Sequence, residues 1–423
     1  MVRVPGLTRI FLYFQCQIRQ VREGGPTVAL RKGRRLLSAV AFIFSIPFVL
    51  PLVLGVRALR PFVLIRFGRL ISNRLGHFAL EPELYLCERD AGMHPPGAVN
   101  IFYHSKPLSN QQLKKMWERK LRVWQFGSVL DQLNRLLPGF QPHVIPLHSS
   151  VHQDEDRLLE RFPPHLEFTE EEELQGWSAL QEMGILEGTS FVCFHARDLV
   201  YLDTMLGGSH LLWRYHDYRD SSIQNYIPAA EGLVRRGYYA VRIGAIVKDA
   251  LRTANPKIID YATKRRSDFM DIYLGAKCYF MIVSNTGPCA LGWIFRKPIA
   301  FVNVAPFLEP RIRRDCDLFI PKKYWLTNDK RFMIFKEILE SGAGEFYYSQ
   351  QYVDHSIELI ENTREEITDL VVEMDERLKG TWQTTEEDEE LQRRFLSIFE
   401  IGDVHRKMRI GAEFLRQNRG LLQ

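Results

Sequence analysis

The sequence predicts an α/β protein with two domains that follow a basic, apolar amino-terminal segment. Short apolar runs bounded by glycine, proline or polar residues alternate with longer stretches of helical spacing. This pattern is typical of strand–helix–strand units and of a parallel sheet. The composition agrees, because 46% apolar and 25% charged residues are ordinary for a globular chain with sizeable cores.

Residues 1–59 combine a basic arm with an uncharged apolar run from Leu36 to Val56. That run is long enough to span a bilayer. However, Pro47 and Pro51 interrupt it, and basic residues flank it on both sides, whereas a spanning helix carries its positive charge mainly on one side. We therefore expect attachment to membrane lipid through residues 36–56, either as a spanning helix or as a re-entrant or in-plane anchor with both flanks in the cytoplasm. A buried core helix is the alternative without a membrane.

Residues 60–175 are expected to form the first domain. The apolar run 62–65, the two glycines that follow it and a helix-prone stretch form the strand–loop–helix opening of a Rossmann-like domain. Further strands are expected at 98–104 and 143–147, with an amphipathic helical segment from Ser109 to Leu136 between them.

Residues 176–349 are expected to form the second domain, and residues 350–423 a set of charged carboxyl-terminal helices. Thr169 and Glu172 form a capping box that opens a helix at the domain boundary, and Thr384 with Glu387 repeats this pattern later in the chain. The strands of the second domain are expected at 191–196, 238–244, 279–285 and 298–304, and its helices at 222–236 and 268–277.

The sequence lacks the P-loop, the dinucleotide glycine motif, the nucleophile elbow and the zinc-protease motif. Its six cysteines are scattered, which argues against a disulfide framework and a structural zinc site. The Asp-x-Asp pairs at 154/156 and 315/317 do not follow apolar strands, so we interpret them as solvated loop charges and expect no metal or other cofactor. No nucleic-acid-binding pattern is present, and no such partner is expected.

Polar residues instead follow three expected strands of the second domain. These are His195 and Arg197 after the first strand, Arg242 after the next, and Ser284, Asn285, Thr286 and Gly287 after the third. Arginines bind diphosphates bidentately, and a helix amino terminus with free N–H groups and a glycine suits a phosphate. The pattern predicts a nucleotide-diphosphate site at the carboxyl edge of a parallel sheet.

Each of these residues also has a plain structural interpretation. Arg242 alone is equally compatible with a salt-bridged strand end. Ser284 and Thr286 are compatible with simple helix caps, and His195 with a buried structural histidine. The agreement of three independent strand ends favours the phosphate site.

Four ordered segments, 65–86, 191–203, 218–244 and 268–303, resemble a family of bacterial glycosyltransferases found in surface-polysaccharide loci. That family is distantly similar to the GT-B transferases of fucosyl type. The resemblance implies two Rossmann-like domains that face a cleft, and metal-independent transfer of a sugar from a nucleotide-diphosphate sugar to a glycan or glycolipid acceptor. It also implies a place at the bacterial inner membrane, with the catalytic domains in the cytoplasm.

By this resemblance, His195 and Arg197 correspond to the His-x-Arg that positions the donor diphosphate, and the hydroxyl-rich strand end falls on 284–286. The first glycine loop departs from the fucosyl pattern, since it reads Arg-Leu-Gly-His at 74–77. In such a transferase Arg197 and His77 are the catalytic candidates, with His77 as the base or, alternatively, as a helix cap. Further donor contacts, which are equally compatible with ordinary loop or helix-start charges, are expected at Arg74, Arg219, Asp268 and Asp271.

Two other function classes compete with sugar transfer. One is a non-catalytic, membrane-anchored scaffold of a polysaccharide assembly complex, which would not bind nucleoside diphosphates. The other is a phosphotransferase or epimerase that acts on a nucleotide diphosphate. The absent P-loop and dinucleotide glycine motif count against both of these enzymes.

Overall fold

The computed structural model describes residues 40–147, 156–198, 214–309, 314–400 and 409–423, together with positions 30, 33, 36, 37, 154 and 200. The chain divides into two compact units. The first unit contains Met1–Gly68, Gly97–Tyr103 and Trp124–Ile145, and the second contains Arg69–Pro96, His104–Val123 and Pro146–Gln423.

The first unit has its core between one apolar helix, Val40–Ala58, and the helix Gly127–Leu136. Strands β1 (Ile65–Leu70) and β2 (Val99–His104) contribute Phe67 and Tyr103 to this core. The two strands pair in one sheet and run in the same direction, because Val99 bonds to Leu64 and Ser105 to Leu70. Within the described residues, Val40–Ala58 is long and apolar enough to span a membrane by length and composition.

Two expectations for this part of the chain are wrong. The strand expected at 143–147 is a single parallel bridge between Phe67 and Val144, because a 3-10 turn at Gln141–His143 leaves little extended chain. The helix expected from Ser109 to Leu136 is two helices, Gln111–Lys120 and Gly127–Leu136. The backbone is extended at Leu121, so the first helix ends there.

The second unit is built on a six-stranded parallel sheet in the order β5-β4-β3-β6-β7-β8. Its strands are β3 (Phe191–His195), β4 (Tyr239–Arg242), β5 (Ile258–Asp260), β6 (Met281–Val283), β7 (Ile299–Val304) and β8 (Leu318–Pro321). The four expected strands of the second domain are therefore confirmed, with shorter bounds, while β5 and β8 were not expected. The order is that of a doubly wound Rossmann sheet, whose switch point lies between its first and fourth strands, here β3 and β6.

Helices cover this sheet and extend to the carboxyl terminus. They are Leu75–Asp90, Gln111–Lys120, Leu158–Arg161, Glu170–Glu182, Ile227–Arg235, Tyr261–Lys264, Asp268–Lys277, Cys289–Ile294, Phe335–Glu340, Ser349–Asp354, Arg364–Lys379, Glu386–Leu396 and Ala412–Gln417. The first two lie in the second unit although the sequence analysis assigns them to the domain at 60–175. The expected domain boundaries themselves stay a prediction.

The carboxyl-terminal part differs from the expectation in two details. It contains the strand β11 (Ile357–Ile360), which pairs antiparallel with β9 (Lys323–Leu326), as does β10 (Arg331–Phe332). The second capping box is formed by Thr385 and Asp388, one residue after the expected pair. The first capping box, Thr169 with Glu172, is confirmed.

Helix packing in the second unit depends on Gly176, in the helix Glu170–Glu182. A Cβ at this position would overlap the buried ring of Tyr273 on the helix Asp268–Lys277. Alanine normally stabilises a helix interior relative to glycine by about 0.5–1 kcal/mol. Here overpacking reverses the sign, so Gly176→Ala is expected to lower the free energy of unfolding by about 1–3 kcal/mol, measured by urea denaturation.

The matched control is Gly232→Ala in the helix Ile227–Arg235, where the nearest atom to an added Cβ is Nη2 of Arg235 at 3.9 Å. This variant is expected to be as stable as the parent chain or more stable. Equal stabilisation by both alanines would contradict the packing described for Gly176.

Candidate functional site

A cavity of about 470 Å³ lies in the second unit at the switch point of the parallel sheet. Its walls are the loops that follow β3, β4 and β6, together with the first turn of the helix Leu75–Asp90. Ligands of open α/β sheets bind where the strand order reverses, outside the carboxyl ends of the strands. The cavity is therefore the candidate functional site.

His195, at the end of β3, lines the cavity as a neutral imidazole. Its Nδ1 lies 3.0 Å from the carbonyl oxygen of Ile243, and a carbonyl only accepts, so Nδ1 carries the proton. Burial lowers the pKa of His195 to about 4, and the charges of Arg242 and Arg197 act in the same direction. Its Nε2 is then an acceptor, which suits a hydroxyl group better than a phosphate oxygen.

Arg197 lines the cavity with its guanidinium largely buried. Its Nη1 donates to the carboxylate of Asp220 at 2.6 Å and to the carbonyl of His216 at 2.7 Å. Burial lowers the pKa of Arg197, but a guanidinium stays cationic in proteins. Burial also raises the pKa of Asp220 to about 7, against the influence of Arg197. The negative partner of Arg197 is therefore only partly ionised near neutral pH.

The loop after β6 supplies Asn285, Thr286 and Gly287 to the cavity. Gly287 lies against the first turn of the helix Leu75–Asp90, since a Cβ on Gly76 would be 3.3 Å from its Cα. Asn285 is held by its own amide, which donates to Ala305 at 2.8 Å. Ser284 is fully buried and does not line the cavity, unlike the three loop residues that follow it.

Arg219 and Arg74 add positive charge to the cavity wall. Arg219 donates from Nη2 to the carbonyl of Asn285 at 2.7 Å, which ties the 3-10 segment Arg214–Arg219 to the loop after β6. Asp220, which follows Arg219 in the sequence, pairs with Arg197. Arg74 is exposed, and no hydrogen bond or ion pair of its side chain occurs among the described residues.

Arg242 does not line the cavity. It is buried at the end of β4, where its Nη1 lies 3.4 Å from Asp260 on β5 and donates to the carbonyl of Asp249. This is the salt-bridged strand-end residue that the sequence analysis kept as the alternative. Its expected contact with a diphosphate has no geometric support here.

His77 lines the cavity from the first turn of the helix Leu75–Asp90. Its Nδ1 lies 2.7 Å from Oε1 of Glu81, whose side chain is buried. A carboxylate at Nδ1 orients a histidine ring and stabilises its protonated form, which is the arrangement found in many general bases. Arg74, and not His77, occupies the cap position of this helix.

The two candidate aspartates separate in the structure. Asp271 lines the cavity, and it accepts hydrogen bonds from the Tyr261 hydroxyl at 2.9 Å and from Nε of Arg266 at 3.0 Å. Burial raises the pKa of Asp271 to about 6. Asp268 lies outside the cavity lining and accepts from the backbone N–H of Gln111 at 2.8 Å.

Sequence reasoning missed several lining residues, namely Ser109, Asn110, His216, Arg266, Glu309 and Tyr347. The signal that could have identified His216 is its position three residues before Arg219, which the sequence predicts as a donor contact. Burial and the nearby arginines 219, 197 and 74 lower the pKa of His216 to about 3, so it is neutral. Glu309 and Tyr347 follow no pattern in the sequence, because only the tertiary fold brings them to this site.

A separate cluster of potential metal ligands, Glu83, Cys87 and His165, lies outside the cavity lining. Its ligand atoms lie within 4.8 Å of one another. However, Arg296 donates to Glu83 at 2.6 Å and lies 3.6 Å from the Cys87 sulfur, so a guanidinium already supplies the positive charge. The geometry therefore supports an ionic network and not a metal site.

One Asp-x-Asp expectation is wrong. Asp317 is buried and not solvated, because it receives hydrogen bonds from Arg314 and from the backbone N–H of Ile299 at the start of β7.

The raised pKa of Asp220 predicts that any binding of an anion in the cavity depends on pH. Below pH 7 Asp220 is neutral and the full charge of Arg197 acts on an anion, whereas above pH 7 the carboxylate opposes binding. A charge about 10 Å from the anion contributes on the order of 1–2 kcal/mol at an effective dielectric constant of 20. Asp220→Asn is therefore expected to bind inorganic pyrophosphate at pH 8 about tenfold more tightly than the parent chain, measured by calorimetric titration.

Pyrophosphate itself gains negative charge between pH 6 and pH 8. Because asparagine does not titrate, the pH profile of Asp220→Asn shows the effect of this change in the ligand without the contribution of Asp220. The ratio of the two affinities should shrink towards one at pH 6. Identical pH profiles for the parent chain and the variant would show that Asp220 does not titrate in this range.

No family model and no curated protein matches the sequence. Among solved structures, the chain is similar to a glycosyl transferase of family 9 from Veillonella parvula, with 13% identity, a TM-score of 0.39, and coverage of 74% of this chain and 95% of that chain. It is also similar to the ADP-heptose lps heptosyltransferase II of E. coli, with 11% identity, a TM-score of 0.35, and coverage of 60% and 90%. At such TM-scores the likeness carries no argument, so the function is inferred from the cavity itself.

Proposed function

We propose that the protein is a glycosyltransferase that moves a sugar from a nucleotide-diphosphate sugar to an acceptor hydroxyl. One observation carries this proposal. Four arginines and His77 line the same cavity at the switch point of a parallel sheet, and three of these arginines, Arg74, Arg197 and Arg219, are not paired with a carboxylate of the cavity lining. His77 is oriented by the buried carboxylate of Glu81, 2.7 Å from its Nδ1. An anion site and a candidate base within one cavity are the two functions that sugar transfer needs.

The donor diphosphate is placed against Arg197, Arg219 and Arg74, next to the backbone of Thr286 and Gly287. Guanidinium groups are the side chains best suited to bidentate contacts with phosphate oxygens. The helix that follows the loop, Cys289–Ile294, is only six residues long, so the arginines and not a helix dipole supply most of the positive charge.

The side chains of the cavity that accept hydrogen bonds are assigned to the hydroxyl groups of the nucleotide sugar. His195 offers a neutral Nε2, and Asp271 a carboxylate that is mostly ionised at pH 7 because its pKa is about 6. Both groups accept hydrogen bonds from a ribose or sugar hydroxyl. The sequence predicts that His195 binds the phosphate groups. The present assignment gives it the hydroxyl groups instead.

In the transfer step, the acceptor oxygen attacks the anomeric carbon, and the bond from that carbon to the diphosphate breaks. The imidazole of His77 takes the proton of the acceptor hydroxyl, while Glu81 stabilises the resulting imidazolium. The arginines stabilise the charge of the departing nucleoside diphosphate, a contribution that other catalysts obtain from a metal ion.

Metal independence is part of this proposal. The cavity carboxylates already have partners: Asp198 accepts from the backbone N–H of Lys248 at 2.9 Å, and Asp271 pairs with Arg266. Glu309 accepts from the Tyr347 hydroxyl at 3.2 Å.

The acceptor is proposed to be a lipid-linked glycan or glycolipid of bacterial surface polysaccharide synthesis. The support for this assignment is the apolar helix Val40–Ala58, which would keep the enzyme at the inner membrane with its catalytic part in the cytoplasm. A tethered enzyme meets a lipid-linked acceptor in two dimensions.

Donor binding is tested by thermal unfolding of the full-length protein with nucleoside diphosphates and common nucleotide sugars. We expect one base class to raise the Tm, and Arg197→Ala to weaken that ligand at least about tenfold, because a charge-assisted contact to phosphate is lost. The matched control is Arg265→Ala, whose exposed side chain lies outside the cavity lining. No shift with any ligand in a folded sample would favour the non-catalytic scaffold.

The role of His77 is tested by His77→Gln with the nucleotide sugar that binds. Loss of a general base lowers turnover about 10²–10⁴-fold, whereas donor affinity should change little. Turnover is measured as release of nucleoside diphosphate in the presence of a lipid extract, with His355→Gln, outside the cavity lining, as control. Unchanged turnover in His77→Gln would remove His77 from the mechanism.

A further inference from the structure

The helix Val40–Ala58 is apolar on both faces, and the described part of the chain covers one of these faces. On the covered face Val49 and Val53 are buried, and Phe42, Ile46, Leu50 and Val56 pack around them. Their spacing of three or four residues forms one stripe along the helix. This stripe packs on Phe67, Tyr103, Leu130 and Leu133 of the same compact unit.

The opposite face of the helix is exposed and contains no polar residue. Phe48 is 78% exposed and Phe44 74% exposed. All of the exposed residues between 40 and 58 are apolar, namely Val40, Ala41, Ile43, Phe44, Pro47, Phe48, Pro51, Leu52, Leu54, Gly55 and Ala58. A helix on the surface of a water-soluble unit normally has a polar outer face, so this uncovered face requires an apolar partner.

Polar contacts fix the carboxyl end of the helix to its unit. The Arg57 guanidinium donates to the side chain of Asn134 at 2.9 Å and to the carbonyl oxygens of Asn134, Leu137 and Pro138. These carbonyls lie at the carboxyl end of the helix Gly127–Leu136, where a cation is favourable. The helix is therefore an integral part of the unit.

A membrane-spanning placement conflicts with this packing. A helix of 19 residues is about 28 Å long, nearly the thickness of the hydrocarbon core. If it crossed the bilayer, the residues packed along it would also have to enter the hydrocarbon. Among them is Tyr103, whose hydroxyl donates to the buried carboxylate of Asp131 at 2.6 Å, and Asp131 also pairs with Arg135. Charged groups at that depth are costly.

We propose that the helix Val40–Ala58 lies in the plane of the membrane surface, with its exposed face immersed in the lipid and its other face packed on the first unit. The partner is a bilayer that contains anionic phospholipid. The first 75 residues contain Glu23 as their only acidic residue, and basic residues precede and follow the helix in the sequence, including Arg35 before it and Arg60 after it. Basic charge near an apolar surface strengthens binding to anionic lipid.

This inference rests on the membrane attachment included in the proposed function, and it is independent of sugar transfer. It predicts that the segment before the helix and the folded chain after it lie on the same side of the membrane. A spanning helix would place them on opposite sides.

The placement is tested in bacterial cells with the full-length chain carrying an epitope tag at each end. In-plane binding predicts that protease leaves both tags intact in spheroplasts and removes both from inverted membrane vesicles. Removal of only the amino-terminal tag in spheroplasts would overturn the in-plane placement while leaving membrane attachment intact. Recovery of the protein in the soluble fraction would overturn both.

The lipid-facing side is tested by the triple variant Phe44→Ser, Phe48→Ser and Leu52→Ser. We expect the fraction that floats with vesicles of phosphatidylglycerol and phosphatidylcholine to fall at least about tenfold, because three large side chains no longer enter the lipid. The Tm should stay near that of the parent chain, since these side chains are exposed. The matched control is Leu174→Ser with Leu186→Ser, two exposed leucines of the second unit, and equal flotation of both variants would contradict the proposal.

Discussion

The candidate site depends on the pairing of β3 with β4 on one side and with β6 on the other. All of these pairs are parallel, and their register places Cys193 beside both Val241 and Met281. The three strands therefore end at one level, and their following loops open towards a common space. Because the strand order reverses between β3 and β6, the helices that follow these two strands diverge and leave a cavity between the loops.

The positive charges around that cavity are only partly neutralised by neighbouring carboxylates. Arg197 is buried with Asp220, and Asp220 is itself desolvated enough to titrate near pH 7. Lys322, also buried, donates to the backbone carbonyl of Asp220, and burial lowers the pKa of this lysine. A cation whose counter-charge is only partly ionised is well suited to receive an anionic ligand, since little compensation is lost when the ligand binds.

Arginine–aspartate pairs recur where the chain enters or leaves the parallel sheet. Arg242 pairs with Asp260 at the ends of β4 and β5, and Arg314 pairs with Asp317 before β8. All four side chains are buried, so each charge requires its partner. In the sequence, the arginines of such pairs resemble ligand-binding residues. The partner of the arginine distinguishes the two cases, because a structural arginine is already paired and a ligand-binding arginine keeps charge available to a ligand.

The sequence by itself determined the features with local causes: the α/β alternation, four strands of the sheet, the capping box at Thr169 and the apolar run of the amino-terminal helix. It did not determine which strand-end residues share a cavity. Arg197 and Arg242 follow neighbouring strands in the same way, yet only Arg197 lines the cavity, because Asp260 on an unexpected strand engages Arg242. Nor did it determine that one face of the apolar helix is covered, since that depends on long-range packing with Phe67 and Tyr103. Side-chain partners come from distant parts of the chain, so only the tertiary structure decides them.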